Sequence, residues 1–329
     1  MPETNARTVP TFFINDFSRH NQPYRLTSHL AAANCRSRDW ATRAGVRAKV
    51  RMDRMDTYSL TLPQTKPNGV LVEVPHAGLR IPSELEGLVN APIEARRRDA
   101  DLYVDELFAD SPRVGATLLS AHLSRYIVDL NRGPEDIDGL TVANHPRSKR
   151  SRPRGVVWRM STLGKPVIAE PLSRDEFETR LSRYYWPYHR ELDRQIQIQR
   201  ERFGQAIVVA AHSMPSYGPS RRGGASERRA DIVPGTRGMT SANRDYIDLV
   251  ETHFRDAGLT VAHDTPYEGG WTTGHYGKPA INQHVIQIEI NRDLYLDERT
   301  HERKRATWPE LQKTLISLVE ALGHFQNSI

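Results

Sequence analysis

From about residue 70 onward, the sequence predicts an α/β domain with a mixed, largely parallel central sheet flanked by helices. Short apolar runs alternate with longer stretches of helical periodicity, which is the order typical of parallel-sheet proteins. The chain has 329 residues, of which 38% are hydrophobic, and it is long enough to bury a large core. We therefore expect one folded domain over residues 55–329.

Six apolar runs have the length and composition of strands. They cover residues 70–74, 116–120, 126–130, 206–211, 259–263 and 285–290. Residues 93–108 and 309–322 predict helices. Between them, Ser173 and Glu176 have the spacing of a capping box, which indicates the start of a long helix through Leu192.

Three further stretches predict loops. Residues 133–171 and 214–238 are rich in Pro, Gly and Arg, and long loops of this kind often carry function. Residues 269–277 are too rich in glycine for a helix or a central strand, so we expect a lid or a lining loop there. Residues 1–54 contain many arginines and no sustained periodicity, which predicts a disordered or weakly ordered basic extension.

The bulk composition limits the classes of function. Cys35 is the only cysteine, so disulfide frameworks and thiolate-rich metal sites are excluded, and a reducing, cytoplasmic location is expected. No apolar run approaches the ~20 residues that span a bilayer. The net charge of +6 raises the alternative of a nucleic-acid-binding protein with a degenerate enzyme core. The arginines are scattered beside acidic or loop residues, however, which favours a small anionic substrate.

Chemically active side chains follow or end three of the predicted strands. His76 comes shortly after residues 70–74, His212 directly follows residues 206–211, and Glu289 lies near the end of residues 285–290. Ligands of open α/β sheets collect beyond the carboxyl ends of the strands. Two histidines with a carboxylate form a common catalytic zinc set, although either histidine could instead be an ordinary hydrogen-bonding residue.

The carboxylate that would complete such a set is not decided by spacing. Glu73, Asp99, Asp101 and Asp105 all compete, and each could be a solvated charge. On a continuous helix over residues 93–108, Asp101 and Asp105 would share one face and Asp99 would not. Glu289 has two interpretations, a salt bridge to Arg292 or a general base for a metal-bound water.

One further segment carries polar residues around a predicted strand. Arg125 precedes residues 126–130, and Asn131 and Arg132 follow them. Guanidinium groups bind carboxylates through two parallel hydrogen bonds, so these residues could hold an acidic substrate; surface or capping roles are the alternative. Neither a P-loop nor a Gly-x-Ser-x-Gly motif occurs, which argues against a nucleotide site of that kind and a serine nucleophile.

Taken in order, these segments resemble the N-formylglutamate amidohydrolase family. The resemblance covers roughly residues 69–298. It is carried by Val74-Pro75-His76-Ala77-Gly78, residues 101–107, Ser124-Arg125-Tyr126 through Asp129-Leu130-Asn131-Arg132, Tyr188-His189, His212-Ser213-Met214, Gly269-Gly270 and residues 287–292.

The resemblance implies a zinc carboxypeptidase-like fold and a Zn²⁺ cofactor at the carboxyl edge of the sheet. It implies that His76, Asp101 and His212 bind the metal, that Glu289 is the general base, and that Arg125, Asn131 and Arg132 bind the substrate carboxylates. The expected activity is removal of a formyl or other small acyl group from an N-acylated acidic amino acid, with a zinc carboxypeptidase or another N-acyl amino acid deacylase as alternatives. The carboxypeptidases carry a ligand glutamate three residues after the first histidine, where this chain has Leu79. The third ligand is therefore the point at which the two patterns differ.

Overall fold

A six-stranded mixed sheet forms the centre of the protein in the computed structural model, which describes residues 57–143, 145, 153–219 and 225–326. The strand order is β1-β3-β2-β4-β8-β7. The four inner strands are parallel, and both edge strands are antiparallel to their neighbours. The strands are β1 (Tyr58–Thr61), β2 (Val70–Val74), β3 (Thr117–Ala121), β4 (Ala206–Met214), β7 (Ile232–Gly235) and β8 (Gln283–Asn291). Two small hairpin-like pairs lie outside the sheet: β5 (Tyr217–Gly218) with β6 (Glu227–Arg228), and β9 (Leu296–Asp297) with β10 (Glu302–Arg303).

Helices cover both faces of the sheet. Residues of α2 (Val104–Leu107), α5 (Arg244–Asp256) and α7 (Trp308–Gln326) pack on one face, and residues of α1 (Ile93–Asp99), α3 (Arg174–Arg180), α4 (Trp186–Phe203) and α6 (Trp271–Tyr276) pack on the other. Because side chains alternate along a strand, every inner strand contributes to both cores. None of the described helices is long and apolar enough to cross a membrane.

The central strands confirm the predicted fold class. The runs at 70–74, 206–211 and 285–290 lie in the sheet, and the run at 116–120 lies in it from Thr117 onward. β4 ends three residues later than predicted, at Met214. β8 begins two residues earlier, at Gln283, and ends one residue later, at Asn291. Two strand predictions were wrong. Residues 126–130 form turns whose apolar side chains are buried, and residues 259–263 contribute only an isolated bridge between Val261 and Ile232.

The sequence analysis did not predict the two edge strands, because their sequences indicate a strand only weakly. β1 lies next to the segment taken as an extension, and β7 contains Pro234 and Gly235. Proline cannot donate to a neighbouring strand and is tolerated at a sheet edge, which is where β7 lies. The prediction for residues 1–54 falls outside the described residues.

The helix predicted over residues 93–108 is broken, which corrects the expected position of Asp101. α1 ends at Asp99, α2 begins at Val104, and Asp101 lies in the connection between them rather than on a helix. Ala100 is extended, and Tyr103 has a left-handed backbone with φ of 64°. Periodicity alone could not reveal the break, because apolar residues continue through it.

The predicted start of α3 and the predicted C-terminal helix agree with the structure. Ser173 and Glu176 form the expected capping box at the start of α3, and a π-helical turn over Leu181–Tyr185 joins α3 to α4. The C-terminal helix is longer than predicted. The segment 269–277 was expected to avoid helix, but Trp271–Tyr276 forms the short helix α6, with Gly269 and Gly270 preceding it.

Candidate active site

Three of the predicted active residues meet at the carboxyl ends of the inner strands. His76 follows β2, His212 is in β4 and Glu289 is in β8. His212 and Glu289 are directly paired across the two strands, so their side chains project from the same face. All three are buried, with exposed fractions of 1%, 3% and 7%.

Asp101 reaches this edge because the connection between α1 and α2 folds over it. The backbone N–H of Asp101 donates to the carbonyl oxygen of His76 over 3.0 Å. Arg292, directly after β8, donates from Nη1 to the Arg98 carbonyl and from Nη2 to the Ala100 carbonyl, at 2.7 and 2.8 Å. These carbonyls lack helical hydrogen-bond partners at the end of α1. Arg292 supplies those hydrogen bonds and so stabilises the break between α1 and α2.

The side chains of His76, Asp101 and His212 form a compact group that could hold a metal ion. Their candidate ligand atoms all lie within 4.8 Å of one another, and among the described residues this is the one group of three or more His, Cys, Asp or Glu side chains with that property. Nδ1 of His212 lies 2.9 Å from Oδ2 of Asp101, and Nδ1 of His76 lies 3.6 Å from the same oxygen. The imidazole centroids are 4.9 Å apart.

The hydrogen bonding of His76 fits a metal ligand. Its Nε2–H donates to Oδ1 of Asp129 over 2.8 Å, whereas its Nδ1 is buried and has no hydrogen-bond partner among the described residues. A neutral ring with the proton on Nε2 directs the Nδ1 lone pair toward the Asp101 carboxylate. Buried polar atoms without a partner are costly, and a cation between the lone pair and the carboxylate would remove that cost. Histidine nitrogen and carboxylate oxygen are donors that suit Zn²⁺.

Asp129 is the centre of a second layer around the metal group. Its Oδ2 accepts hydrogen bonds from Nη2 of Arg125 at 2.7 Å and from Nε1 of Trp158 at 2.8 Å. Although burial opposes ionisation, Arg125 and His76 hold the pKa of Asp129 well below its usual range. Asp129 is therefore a buried carboxylate that orients the ring of His76 and does not itself face the metal group.

Asn131 connects the metal group to the glycine-rich segment before α6. Its Oδ1 accepts from the backbone N–H of Thr272 at 3.0 Å, and its Nδ2 donates to Oε1 of Gln287 at 3.2 Å. The same Nδ2 lies 3.2 Å from Nε2 of His212. Gly270 also donates its N–H to Oε1 of Gln287, at 2.9 Å. The Gly269-Gly270 segment therefore closes against the site through backbone donors.

Two buried glutamates lie on the same face of the sheet in different surroundings. Oε1 of Glu289 accepts a hydrogen bond from Nε2 of Gln287 over 2.8 Å, and burial raises the pKa of Glu289 to about 7. Glu73 accepts from the hydroxyl of Tyr188 at 3.2 Å, and burial raises the pKa of Glu73 to about 8. Glu289 stands beside His212, whereas Glu73 faces α4 and α6.

The other predicted carboxylate candidates lie outside the metal group. Oδ2 of Asp99 accepts from the hydroxyl of Tyr126 at 2.6 Å and from the N–H of Thr162 at 2.9 Å. Asp105 lies in α2. The structure does not favour the salt bridge between Glu289 and Arg292 that the sequence suggested. The Arg292 side chain donates instead to the carbonyls at the end of α1 and to Oγ of Ser213, the latter at 3.2 Å.

The three predicted substrate-binding residues differ in how far their hydrogen-bond donors are already used within the protein. Arg125 is directed toward Asp129 and the Asp99 carbonyl, and Asn131 toward Thr272 and Gln287. Arg132 is partly exposed and donates from Nε to the Arg154 carbonyl at 3.3 Å. Of the three, Arg132 therefore retains the most hydrogen-bonding capacity.

Sequence reasoning assigned no role to Asp129, Gln287 or Trp158. Asp129 could have been noticed, because it is a single acidic residue between Val128 and Leu130 and is two residues from Asn131. Gln287 shares the face of Glu289 by strand alternation. Trp158 lies in a segment without periodicity, and nothing in the sequence indicates that its indole N–H contacts Asp129.

Comparison with known proteins gives a consistent match over most of the described chain. The family model for N-formylglutamate amidohydrolase matches residues 68–296. An N-formylglutamate deformylase from Pseudomonas aeruginosa is 30% identical over 259 residues, covering 77% of this chain and 92% of the relative. A protein of the same description from Pseudomonas putida is 30% identical over 239 residues, covering 70% and 82%.

Solved structures give the same picture. The crystal structure of N-formylglutamate amidohydrolase from Ralstonia eutropha JMP134 has a TM-score of 0.77 and 31% identity, covering 83% of this chain and 99% of that one. A gene product from Agrobacterium tumefaciens has a TM-score of 0.57 at 21% identity, covering 84% and 96%, which bears on the fold alone.

Proposed function

The chain belongs to the N-formylglutamate amidohydrolase family, and from that premise we propose that it is a zinc-dependent enzyme that hydrolyses the formyl amide of N-formylglutamate. The observation that supports the zinc dependence is the buried Nδ1 of His76, which has no hydrogen-bond partner within the described part of the chain and faces Asp101 beside His212. These three residues would hold the ion. When bound, Zn²⁺ would polarise the formyl carbonyl and lower the pKa of a water molecule.

Glu289 is the proposed general base. One of its oxygens is held by Gln287, which leaves Oε2 to accept the proton of the attacking water. Burial raises its pKa to about 7, and a base with a pKa near the working pH combines a large ionised fraction with good proton affinity. The proton that Glu289 takes up is then delivered to the amine nitrogen of the leaving glutamate.

Arg125, Asn131 and Arg132 contribute to substrate binding in different ways under this proposal. Arg132 would contact a carboxylate directly, because its Nη1 and Nη2 make no hydrogen bond to described residues. Arg125 acts through Asp129, and Asn131 keeps the segment before α6 closed over the substrate. Holding the remote carboxylate orients the formyl group at the reacting edge.

The test combines metal content with turnover. Purified protein should contain about one zinc per chain. It should hydrolyse the formyl amide of N-formylglutamate faster than the acetyl amide of N-acetylglutamate or a peptide bond of a short peptide. Glu289→Gln should retain zinc and lose turnover by about 10²- to 10⁴-fold. Asp101→Asn should lose zinc, whereas Glu73→Gln, which changes the other buried glutamate of this face, should keep it.

Retention of turnover in Glu289→Gln would remove Glu289 from the mechanism. Zinc loss in Glu73→Gln but not in Asp101→Asn would assign the third ligand differently. Faster cleavage of the peptide or of N-acetylglutamate would show that the site serves a carboxypeptidase or another deacylase.

A further inference from the structure

Arg229 lies at the same edge of the sheet as the metal group. Its backbone carbonyl accepts a hydrogen bond from Nδ2 of Asn291 at 3.0 Å, and Asn291 is two residues beyond Glu289 on β8. Its Nη1 donates to the carbonyl of Pro215 at 2.9 Å, and Pro215 is three residues beyond His212. Arg229 is therefore anchored to the ends of the two strands that carry the base and a metal ligand.

The guanidinium group is held in one orientation. Its Cζ lies 5.2 Å from the ring centroid of Tyr267, a cation–π contact, and its side chain packs against Gly218, where no Cβ could be accommodated without moving the guanidinium. Nε and Nη2 make no hydrogen bond to the described residues. A fixed guanidinium with two donors to spare is suited to a carboxylate.

Tyr267 extends this surface toward the reacting groups. It is two residues before Gly269, in the segment that closes on Asn131 and Gln287. Burial raises the pKa of Tyr267, and the charges of Arg229, Glu289 and Asp101 also act on its phenol. The contact with Arg229 is therefore the one that fixes the place of Tyr267 in this surface, with Cζ of Arg229 5.2 Å from the ring centroid.

Two other arginines of the site are already paired with acids. Arg125 pairs with Asp129 at 2.7 Å, and Arg292 contacts Asp101 at 3.4 Å while capping α1. N-formylglutamate carries two carboxylates, and Arg132 can hold only one of them. Another fixed cation at this edge of the sheet would be suited to the second carboxylate.

We propose that Arg229, supported by Tyr267, binds the second carboxylate of the substrate and so determines the preference for an acidic amino acid. This assignment rests on the proposed function. It adds a specificity-determining residue in the loop between β6 and β7, outside the segments that carry the resemblance.

The experiment measures discrimination between carboxylate and amide. The substrates are N-formylglutamate, N-formylglutamine and the α-amide of N-formylglutamate, and kcat and KM are determined for each. Arg229→Gln should reduce the preference for N-formylglutamate over one of the two amides by about 10- to 100-fold, mainly through a higher KM, because a charge-assisted hydrogen bond is lost. Zinc content should not change. Arg229→Lys should give an intermediate loss.

Arg228→Gln is the matched control, because Arg228 is the neighbouring, exposed arginine that pairs with Asp231. It should keep the wild-type preference. Unchanged discrimination against both amides in Arg229→Gln and Arg229→Lys would overturn the assignment. Absence of wild-type turnover with all three substrates would instead contradict the proposed function, so the two failures are distinct.

Discussion

His76 donates its Nε2–H to Oδ1 of Asp129 over 2.8 Å, in surroundings where both side chains are buried. The same carboxylate accepts from the N–H of Asn131 through Oδ1 and from Arg125 and Trp158 through Oδ2. Asp129 therefore connects the orientation of a proposed metal ligand to the segment that carries the proposed substrate-binding residues. Hydrogen bonds of this kind raise the basicity of a histidine ligand and fix its ring.

Asp129→Asn should weaken zinc binding by about 10- to 100-fold. An amide has one acceptor oxygen, so it can serve either His76 and Asn131 or Arg125 and Trp158, and its NH₂ group then faces the donors on the other side. Zinc affinity is measured by competition with a chelator. Asp138→Asn is the control, because Asp138 is also buried and accepts from an arginine, Arg159, at 2.8 Å. Equal zinc affinities for the two variants would contradict this role.

The sequence could predict where His76, His212 and Glu289 converge, because parallel strands place their carboxyl ends at one edge. It could not predict the way Asp101 joins them. The periodicity of residues 93–108 favours one helix, but Arg292 and Arg125 bind the carbonyls of Arg98, Asp99 and Ala100 and end α1 early. These arginines lie more than 20 residues away along the chain, so no local pattern records the contact.

The same limit explains the substrate-binding predictions. The motif around Arg125 and Asn131 indicated functional polar residues, but only the folded structure shows that their donors are directed at Asp129, Thr272 and Gln287. Arg229 lacked any local signal, because its relation to the site depends on Pro215, Asn291 and Tyr267.

Glu73 predicts a pH-dependent stability. Burial raises its pKa from the usual value of 4.5 to about 8 in the folded protein, so the folded state keeps a proton that the unfolded state releases in that interval. The contribution of the Glu73 proton to the free energy of unfolding is therefore fully present below about pH 4.5. It declines as the pH rises toward about 8. Glu73→Gln removes this titration. We expect its melting temperature, relative to the wild type, to increase from pH 5 to pH 8.5.

The control for that series is Glu86→Gln, which removes one exposed negative charge from the surface. Melting temperatures of all three proteins are followed by tryptophan fluorescence at each pH. A difference between Glu73→Gln and the wild type that stays constant or shrinks with rising pH would show that Glu73 is ionised in the folded protein.

Gly270→Ala tests whether the closed segment before α6 is needed for turnover. A Cβ at residue 270 would overlap the side-chain amide of Asn131, which contacts Thr272, Gln287 and His212. Gly270 has an extended backbone that alanine can adopt, so the effect is steric. We expect kcat/KM to fall by about 10- to 100-fold, since small misplacements of positioning groups have large effects on rate. The free energy of unfolding should fall by about 1–3 kcal/mol.

Gly87→Ala is the control, because it makes the same change where a Cβ meets nothing within 4 Å. It should leave both kcat/KM and the free energy of unfolding near wild type. A Gly270→Ala enzyme with wild-type kcat/KM would mean that the Asn131 amide can move without harm, and Asn131 would then have no part in orienting the substrate.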